Sequence, residues 1–434
     1  MMKFLRAILL AVATSLATLP VQAALTIEIS QGVEGAVPIA VVPFGWGAAQ
    51  ALPHDVSAII GADLQRSGRF APLPTQDMLS QPTDAAQVNY RDWRVLGVDN
   101  LVIGKVEATG PDSYNIRFQL LDVLRGRQVV GMNVSATGAQ LRRAAHHIAD
   151  QIYEALTGER GAFNTRIAYV TATGSGKSKL YEMQVADSDG YGPLSIVRSK
   201  QPLMSPTWSP DAQRIAYVSF EKRRAEIYVQ DMRTGNRTMA AAFSGINGAP
   251  SWSPDGTRLA LTLSRDGNPE IYVMRLSDNS LTRITQSPAI DTEPVWSPDG
   301  RSLVFTSDRA GGPQLYQVPA SGGQAQRLTF EGSYNAGADF SPDGQRLALV
   351  HRDAGGRYRI AVYELATRRL QVISDGRFDE SPSFAPNGRM LLYASQAANR
   401  GVLAGTSVDG RVGQTLKFQQ GDVREPAWSP YLPR

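Results

Sequence analysis

Trp252-Ser-Pro-Asp-Gly256 and its copies decide the fold of most of this 434-residue chain. Related pentapeptides recur every 44 residues, and they begin at Trp208, Trp252, Trp296, Phe340, Phe384 and Trp428. Ser, Pro and Gly are favoured at the first, second and fourth positions of a type I turn, so each copy predicts a hairpin turn. A fixed period of about 40–45 residues with several short apolar runs per repeat is typical of a β-propeller whose blades have four strands.

The two ends of this array predict how the propeller closes. Six copies enclose only five complete intervals. Three apolar runs precede Trp208, at 166–170, 180–183 and 194–197, and a lone run at 423–429 ends the array. Three strands plus one make a sixth blade. We therefore expect a closed six-bladed propeller in which the C-terminal strand completes the first blade, because closure removes an exposed sheet edge.

The first 23 residues have the pattern of a secretory signal peptide. Lys3 and Arg6 form a basic start, residues 7–19 are apolar, and Val21-Gln-Ala23 is a small-residue cleavage site. We expect an exported protein that begins near Ala24 and has no membrane span. The chain has no Cys, so neither a disulfide nor a lipid-bearing Cys is possible. A formal net charge of +4, half of it from the signal peptide, gives no support for nucleic-acid binding.

Residues 24–158 predict an α/β domain ahead of the propeller. Thr26 to Ser30 lie in a run where apolar and polar residues alternate, which predicts a strand. One interpretation of this strand is a fixed edge strand of the α/β domain. Helices are expected over residues 55–67 and after Thr137, where Gln140 completes a capping box. Residues 159–165 are predicted to be a linker and residues 166–434 the propeller.

Several short motifs can be interpreted either as catalytic or ligand-binding motifs or as ordinary structural features. Thr173-Gly-Ser-Gly-Lys-Ser178 resembles part of a phosphate-binding loop, but a strand follows it, which favours a hairpin turn. Asp187-Ser-Asp189-Gly190 resembles a fragment of a calcium loop, and a turn is the simpler interpretation. We expect the four histidines, at 54, 146, 147 and 351, to be ordinary core or surface residues and the first three to lie on helices. No Ser has the Gly-x-Ser-x-Gly setting of a hydrolase.

Polar residues a few positions ahead of the pentapeptides are the strongest candidate site. In a propeller these positions enter the innermost strand, so they are expected to surround one mouth of the central channel. Two interpretations remain open: a polar, partly acidic ring that receives a partner, or side chains that only cap turns. The residues are Asn247, Ala249, Asp291, Thr292, Glu293, Asn335, Asp379, Glu380 and Glu425.

The whole mature chain resembles the TolB family of periplasmic Tol–Pal system proteins. The resemblance is carried by the signal peptide, the α/β domain, the pentapeptide repeats, Pro38-Ile-Ala-Val-Val-Pro-Phe44, Phe305-Thr-Ser-Asp308 and Pro426-Ala-Trp-Ser-Pro-Tyr-Leu432. It implies a non-enzymatic, monomeric adaptor without a cofactor, peripheral to membranes, that supports outer-membrane integrity and cell division.

The resemblance also implies partners and their sites. Pal would bind at the propeller mouth, through Asn247, Ala249, Thr292, Glu293, Asn335 and Glu380. TolA would bind the N-terminal segment, which is either tucked against the body or released; further outer-membrane partners are possible. That segment comprises Ala24, Leu25, Thr26, Ile27, Glu28, Ile29 and Ser30. Alternatives outside this family are a propeller hydrolase or lyase and a glycan-binding module.

Overall fold

A computed structural model describes residues 26–31, 35–417 and 421–433, and for residues 26–31 and 417 it describes the backbone alone. The predicted signal peptide, Ala24 and Leu25 lie outside the described residues. Within the described ranges, the helices are too short or too polar to cross a membrane.

The first described strand is β1, Thr26–Gln31, and an α/β domain follows it. This domain has one mixed sheet in the order β4-β2-β5-β6-β7, with β3 pairing to β5. The strands β2 and β4 run parallel to their neighbours, whereas β5, β6 and β7 form an antiparallel meander. The strands are β2 (Val37–Val41), β3 (Gly45–Trp46), β4 (Phe70–Pro72), β5 (Asn100–Gly110), β6 (Ser113–Asp122) and β7 (Arg127–Thr137).

Within the described residues, three α-helices accompany the sheet: α1 (Val56–Arg66), α2 (Tyr90–Val95) and α3 (Leu141–Thr157). Asp55 caps α1 by accepting the Ala58 N–H at 3.0 Å. The predicted capping box is present, but it caps the start of a short 3₁₀ turn that leads into α3 rather than the start of α3 itself. Gly158 ends α3 in the left-handed conformation, φ 75°, which glycine adopts without steric cost. Apolar side chains of α1 and α3 pack against the sheet in one core.

The remaining strands form six four-stranded antiparallel blades. The first blade takes three strands from the start of the region. The next five blades follow in chain order, and the last strand of the chain returns to the first blade. The strands are β8 (Arg166–Thr173), β9 (Leu180–Asp187) and β10 (Leu194–Ser199); β11 (Leu203–Trp208), β12 (Arg214–Ser219), β13 (Glu226–Asp231) and β14 (Arg237–Ala241); β15 (Asn247–Trp252), β16 (Arg258–Leu263), β17 (Glu270–Arg275) and β18 (Leu281–Arg283); β19 (Asp291–Trp296), β20 (Ser302–Ser307), β21 (Gln314–Pro319) and β22 (Gln326–Arg327); β23 (Asn335–Phe340), β24 (Arg346–Arg352), β25 (Tyr358–Glu364) and β26 (Arg369–Val372); β27 (Glu380–Phe384), β28 (Met390–Ala397), β29 (Arg400–Ser407) and β30 (Gly413–Lys417); and β31 (Asp422–Trp428).

This arrangement confirms the predicted fold class, including the closure by the C-terminal strand. β31 pairs with β8 and becomes the innermost strand of the first blade, in the order β31-β8-β9-β10. The motif aromatics lie between blades, as expected of core residues: Trp252, for example, is 6% exposed and its Nε1 donates to the Thr207 carbonyl of the preceding blade at 3.2 Å. Ala212, which replaces the turn glycine of the first copy, is held at φ 56°.

The position of β1 differs from the prediction. The expectation that this strand belongs to the α/β domain is wrong, because β1 pairs antiparallel with β30 and becomes the fifth strand of the sixth blade. Ile27 lies opposite Leu416, and Ile29 lies opposite Gln414. Alternation of apolar residues predicts a strand but does not select which open sheet edge it joins.

Candidate functional site

All six innermost strands begin on the same face of the propeller, which we call the mouth face. The opposite face, which carries the pentapeptide turns, is called the turn face. The α/β domain and its connecting segment contact the turn face: the Arg389 guanidinium pairs with Glu159, and Asn387 Nδ2 donates to the Arg160 carbonyl at 3.2 Å. The mouth face is therefore turned away from the α/β domain.

A bulge with positive φ recurs in every innermost strand, at the third or an equivalent position. These residues are spaced by 44, and each lies within a break in the strand register. They are Ser205 (φ 51°), Ala249 (φ 45°), Glu293 (φ 54°), Gly337 (φ 61°), Ser381 (φ 54°) and Glu425 (φ 54°). All of them except Ala249 line an axial channel of about 540 Å³. β-bulges re-aim side chains, and this one directs its residue toward the propeller axis.

The two glutamates at bulge positions link neighbouring blades. Glu293 accepts the Gly337 N–H at 3.0 Å, and Glu425 accepts the Ser205 N–H at 3.2 Å. Burial, together with the nearby charges of Glu380 and Glu293, raises the pKa of Glu425 to about 7. Burial also raises the pKa of Glu380. The carboxyl group of Glu425 thus lies close enough to those of Glu380 and Glu293 at the channel mouth for their charges to favour its protonated form.

Four of the predicted site residues do not face the mouth. Asn247, Asp291, Asn335 and Asp379 are each at most 1% exposed. Their side chains make hydrogen bonds inside the propeller, so these four do not contribute solvent-facing groups to a ring at the mouth. Asp291 shows the pattern, since both its oxygens accept from Arg309 Nη2 at 2.7 and 2.8 Å.

The other predicted residues at the mouth are Ala249, Thr292, Glu293, Glu380 and Glu425, and each has solvent-accessible surface. Thr292 Oγ1 lies 3.4 Å from Thr262 Oγ1, on the neighbouring blade, and that Thr262 hydroxyl accepts the Glu293 N–H at 3.1 Å. Glu380 lines a pocket of about 240 Å³ with Phe378 and Arg424. The mouth therefore combines acidic, hydroxyl and small side chains around one opening.

Sequence analysis missed an apolar crescent beside this opening. Four residues that share the 44-residue period lie one or two positions ahead of innermost strands: Ile246, Ile290, Tyr334 and Phe378. Both isoleucines are 48% exposed, and Phe378 is 42% exposed. Tyr358 packs edge-on against Tyr334 and Phe378, with ring centroids 5.2 and 5.4 Å apart. Neighbouring exposed apolar side chains of this kind mark interaction surfaces. The period of 44 was the signal that could have found them.

The predicted N-terminal site is described only in part. Thr26, Ile27, Glu28, Ile29 and Ser30 lie in β1 at the outer edge of the sixth blade, while Ala24 and Leu25 lie outside the described residues. β1 occupies the edge that β30 would otherwise expose. It is held by strand pairing, which is the interaction that a partner's sheet edge would also offer.

The two motifs that resemble parts of a phosphate-binding loop and a calcium loop lie in connections between strands of the first blade. Thr173–Ser178 lie in the hairpin between β8 and β9, with strand rather than helix following. Asp187 ends β9 and Asp189 lies in the turn that follows, where the Arg142 guanidinium pairs with both carboxylates. Together with His146, they form the one group of metal-ligating side chains found among the described residues. The cation that lies between these carboxylates is Arg142.

The histidines are core or interface residues. His54 precedes α1 rather than lying on a helix, which corrects the prediction, and it packs edge-on against Tyr191 at 5.6 Å. His146 is buried, and its Nδ1 lies 2.6 Å from Asp63 Oδ2. Burial alone would lower the pKa of His146, but Asp63 and Asp189 outweigh it and raise that pKa. His351 is buried in the fifth blade beside Asn335.

Both parts of the chain match one protein family. Residues 25–129 match the TolB amino-terminal domain, and residues 153–432 match the TolB beta propeller domain. A Tol-Pal system protein TolB of Thioalkalivibrio sulfidiphilus is 56% identical over 248 residues, and one of Nitrosococcus oceani is 57% identical over 228 residues. These alignments cover 57% and 52% of both chains, so the chain spans just over half the length of these relatives.

A solved structure extends the likeness to nearly the whole chain. The crystal structure of TolB from Acinetobacter baumannii superposes with a TM-score of 0.87 at 41% identity, covering 94% of this chain and 100% of the other. With its two domains matched in order and its six-bladed architecture shared with that structure, the chain belongs to the TolB family of Tol–Pal system proteins.

Proposed function

We propose that this protein is a periplasmic, non-enzymatic adaptor that binds Pal at the mouth face and TolA through its N-terminal segment. In this role it supports outer-membrane integrity and cell division. The observation that carries the Pal site is the pairing of the apolar crescent with the glutamate-lined opening, on the face turned away from the α/β domain. Apolar contact area beside hydrogen-bonding groups is the usual composition of a protein interface.

In this proposal the mouth face contacts Pal through two kinds of side chain, apolar and hydrogen-bonding. Ile246, Ile290 and Phe378 supply apolar area, whereas Thr292 and Glu380 supply hydrogen-bonding groups beside it. The four buried residues at the starts of innermost strands hold the strands and do not contact the partner; they are Asn247, Asp291, Asn335 and Asp379. Glu425 and Glu293 fix neighbouring blades to each other, so a partner that enters the opening meets a preorganised rim.

Calorimetric titration with the soluble domain of Pal tests this site. Thr292→Arg and Glu380→Arg each place a long cation at the opening, and we expect each to weaken binding by about tenfold or more. Glu154→Arg is the matched control for Glu380→Arg, because it makes the same charge change on an exposed position of α3. Equal affinities for all of these proteins would move the Pal site elsewhere. No binding by the unmodified protein would return the enzyme and glycan alternatives to consideration.

The TolA site rests on the position of β1. Thr26–Gln31 form an edge strand that is added to a complete four-stranded blade, so its release leaves the blade's own strands paired. Release therefore breaks the β1–β30 backbone pairing, and a competing sheet edge offers equivalent hydrogen bonds. Deleting residues 24–30 is expected to abolish TolA binding while Pal binding persists. Unchanged TolA affinity after the deletion would contradict this assignment.

A further inference from the structure

A cavity of about 570 Å³ lies between the α/β domain and the fifth and sixth blades. We call it the interdomain cleft. The α/β domain contributes the end of α1 at residues 67–69 and Tyr153 of α3. The propeller contributes strands β25 and β26 and the turn at residues 407–412. The cleft lies on the turn face, remote from the mouth that we assign to Pal, and its size is that of small-molecule sites.

The lining of the cleft carries more positive than negative charge. Its cationic side chains are those of Arg69, Arg346, Arg369, Arg389 and Arg411, and its acidic side chains are those of Glu364 and Asp409. Opposite charges within the described residues compensate three of the arginines. Arg389 pairs with Glu159, Arg346 Nη2 lies 3.3 Å from Asp343 Oδ2, and Arg411 Nε lies 3.7 Å from Asp409 Oδ2.

Arg69 and Arg369 remain without an acidic partner among the described residues. Glu364 lies opposite Arg369 in the β25–β26 register, but its carboxylate accepts the Thr367 hydroxyl at 2.5 Å rather than pairing with a guanidinium. Arg69 follows α1 and comes from the α/β domain, whereas Arg369 comes from the fifth blade. Two guanidinium groups that have no acidic partner among the described residues thus line one cavity, one from each domain.

Apolar surface lies beside these two groups. Val362, Val408, Val412 and Tyr153 line the same cleft. A guanidinium is a planar fork of N–H donors that matches a carboxylate or a phosphate in a bidentate manner. An apolar wall beside such a fork suits the carbon body of an organic anion. This combination of a few polar groups on an apolar lining is the usual composition of a small-molecule site.

We propose that the interdomain cleft binds a small organic anion with two or more carboxylate or phosphate groups, held by Arg69 and Arg369. Its carbon body packs against the valines of the propeller wall. Because one guanidinium comes from each domain, the bound anion joins the α/β domain to the propeller. Binding is therefore expected to raise the thermal stability of the protein by an amount that grows with the logarithm of ligand concentration above Kd.

Titration calorimetry with tricarballylate and with inorganic pyrophosphate tests the proposal. We expect at least one probe to bind saturably, and the tighter of the two distinguishes a carboxylate from a phosphate ligand. Arg69→Gln and Arg369→Gln are each expected to weaken binding by about tenfold, since each removes a charged hydrogen bond. Arg301→Gln is the matched control: it removes the same charge from a turn-face arginine that is 87% exposed and lies outside the cleft.

A second variant is expected to gain affinity, which misfolding cannot imitate. Glu364→Gln removes one of the two carboxylates that line the cleft, and tighter binding by about two- to fivefold should result. Absence of saturable binding of both probes up to about 10 mM would overturn the proposal. Equal weakening by Arg301→Gln would also overturn it, because the effect would then be general attraction of anions to a basic surface.

Discussion

Buried polar side chains at the starts of the innermost strands fasten individual blades. Asp291 is fully buried, and Arg309, which pairs with it, is only a quarter exposed. Removing the negative charge leaves that guanidinium without its acid in a largely dry site. We expect Asp291→Asn to lower the free energy of unfolding by about 2–3 kcal/mol, somewhat less than for a wholly buried pair. Urea unfolding measures this loss.

The matched control for this prediction is Glu107→Gln. Glu107 pairs with Lys105 in an exposed position of β5, where solvent screens the interaction, so no measurable change in stability is expected. Pal affinity of folded Asp291→Asn protein should equal that of the unmodified protein. A variant of normal stability with weakened Pal binding would instead identify Asp291 as a contact residue.

Glu425 makes stability depend on pH in the acidic range. Its pKa of about 7 in the folded state lies above the ordinary value of 4.5, so the folded protein prefers the protonated form. Ionisation of this carboxyl group therefore does not reduce the free energy of unfolding below about pH 4.5, and the reduction grows until the pH passes 7. Glu425→Gln removes this cost and should raise stability at pH 8, relative to its effect at pH 5, by on the order of 1 kcal/mol. Equal effects of the variant at both pH values, measured by urea unfolding, would contradict the assignment.

At the scale of the strand, the sequence contains a signal for the bulge in the innermost strands. In five of the six innermost strands Pro follows the bulge residue, and Pro without its N–H suits an interrupted ladder. In the remaining strand Ala338 replaces Pro, and the preceding residue is Gly337, which adopts positive φ freely. The Pro that follows the bulge position in five strands and the Gly at the bulge position of the sixth would together have predicted the bulge and the residues that face the channel.

Other features depend on partners distant in the chain. The pentapeptide turns predict strand order and closure because each turn is a local structure. The burial of Asp291 depends on Arg309, 18 residues away on another part of the blade, and the position of β1 depends on the edge of β30, nearly 400 residues away. Alternation and local charge do not encode such pairings, and these are the points where prediction from sequence was wrong.

The pairing of β1 with β30 predicts a local pattern of hydrogen exchange. Deleting residues 24–31 uncovers the outer edge of β30, so the β30 amides that face β1 should exchange faster by about tenfold or more. Amides of β30 that face β29 should keep their protection, as should those of β26, the uncovered outer strand of the fifth blade. Unchanged exchange throughout β30 would show that β1 is not paired there in solution.

At the scale of the whole molecule, one ionic network joins the two domains. Asp63 and Arg66 of α1 and Arg142 and His146 of α3 meet Asp187, Ser188 and Asp189 of the first blade. Arg66 Nη2 donates to Ser188 Oγ at 2.8 Å, and the Arg142 guanidinium lies 3.7 Å over the Tyr191 ring. This part of the contact between domains is therefore polar, and its strength should depend on the charge of His146.

His146 predicts that this contact weakens in alkaline solution. Its folded pKa lies above the ordinary 6.5, so the protonated ring stabilises the fold below pH 6.5 and the contribution is lost as the pH rises through the raised value. At pH 6 we expect His146→Gln to cost about 2 kcal/mol, the contribution of a charged hydrogen bond, and at pH 9 to cost less. Calorimetric unfolding at both pH values measures the difference.

His351→Gln provides a control of opposite sign. Burial lowers the pKa of His351, so the neutral ring is the stabilising form and its contribution is lost as the pH falls. The cost of His351→Gln should consequently be larger at pH 9 than at pH 6, in a blade that does not contact the His146 network. If both variants shifted with pH in the same direction, the change would reflect the overall charge of the protein, and the ionic network would not be the pH-dependent link between its domains.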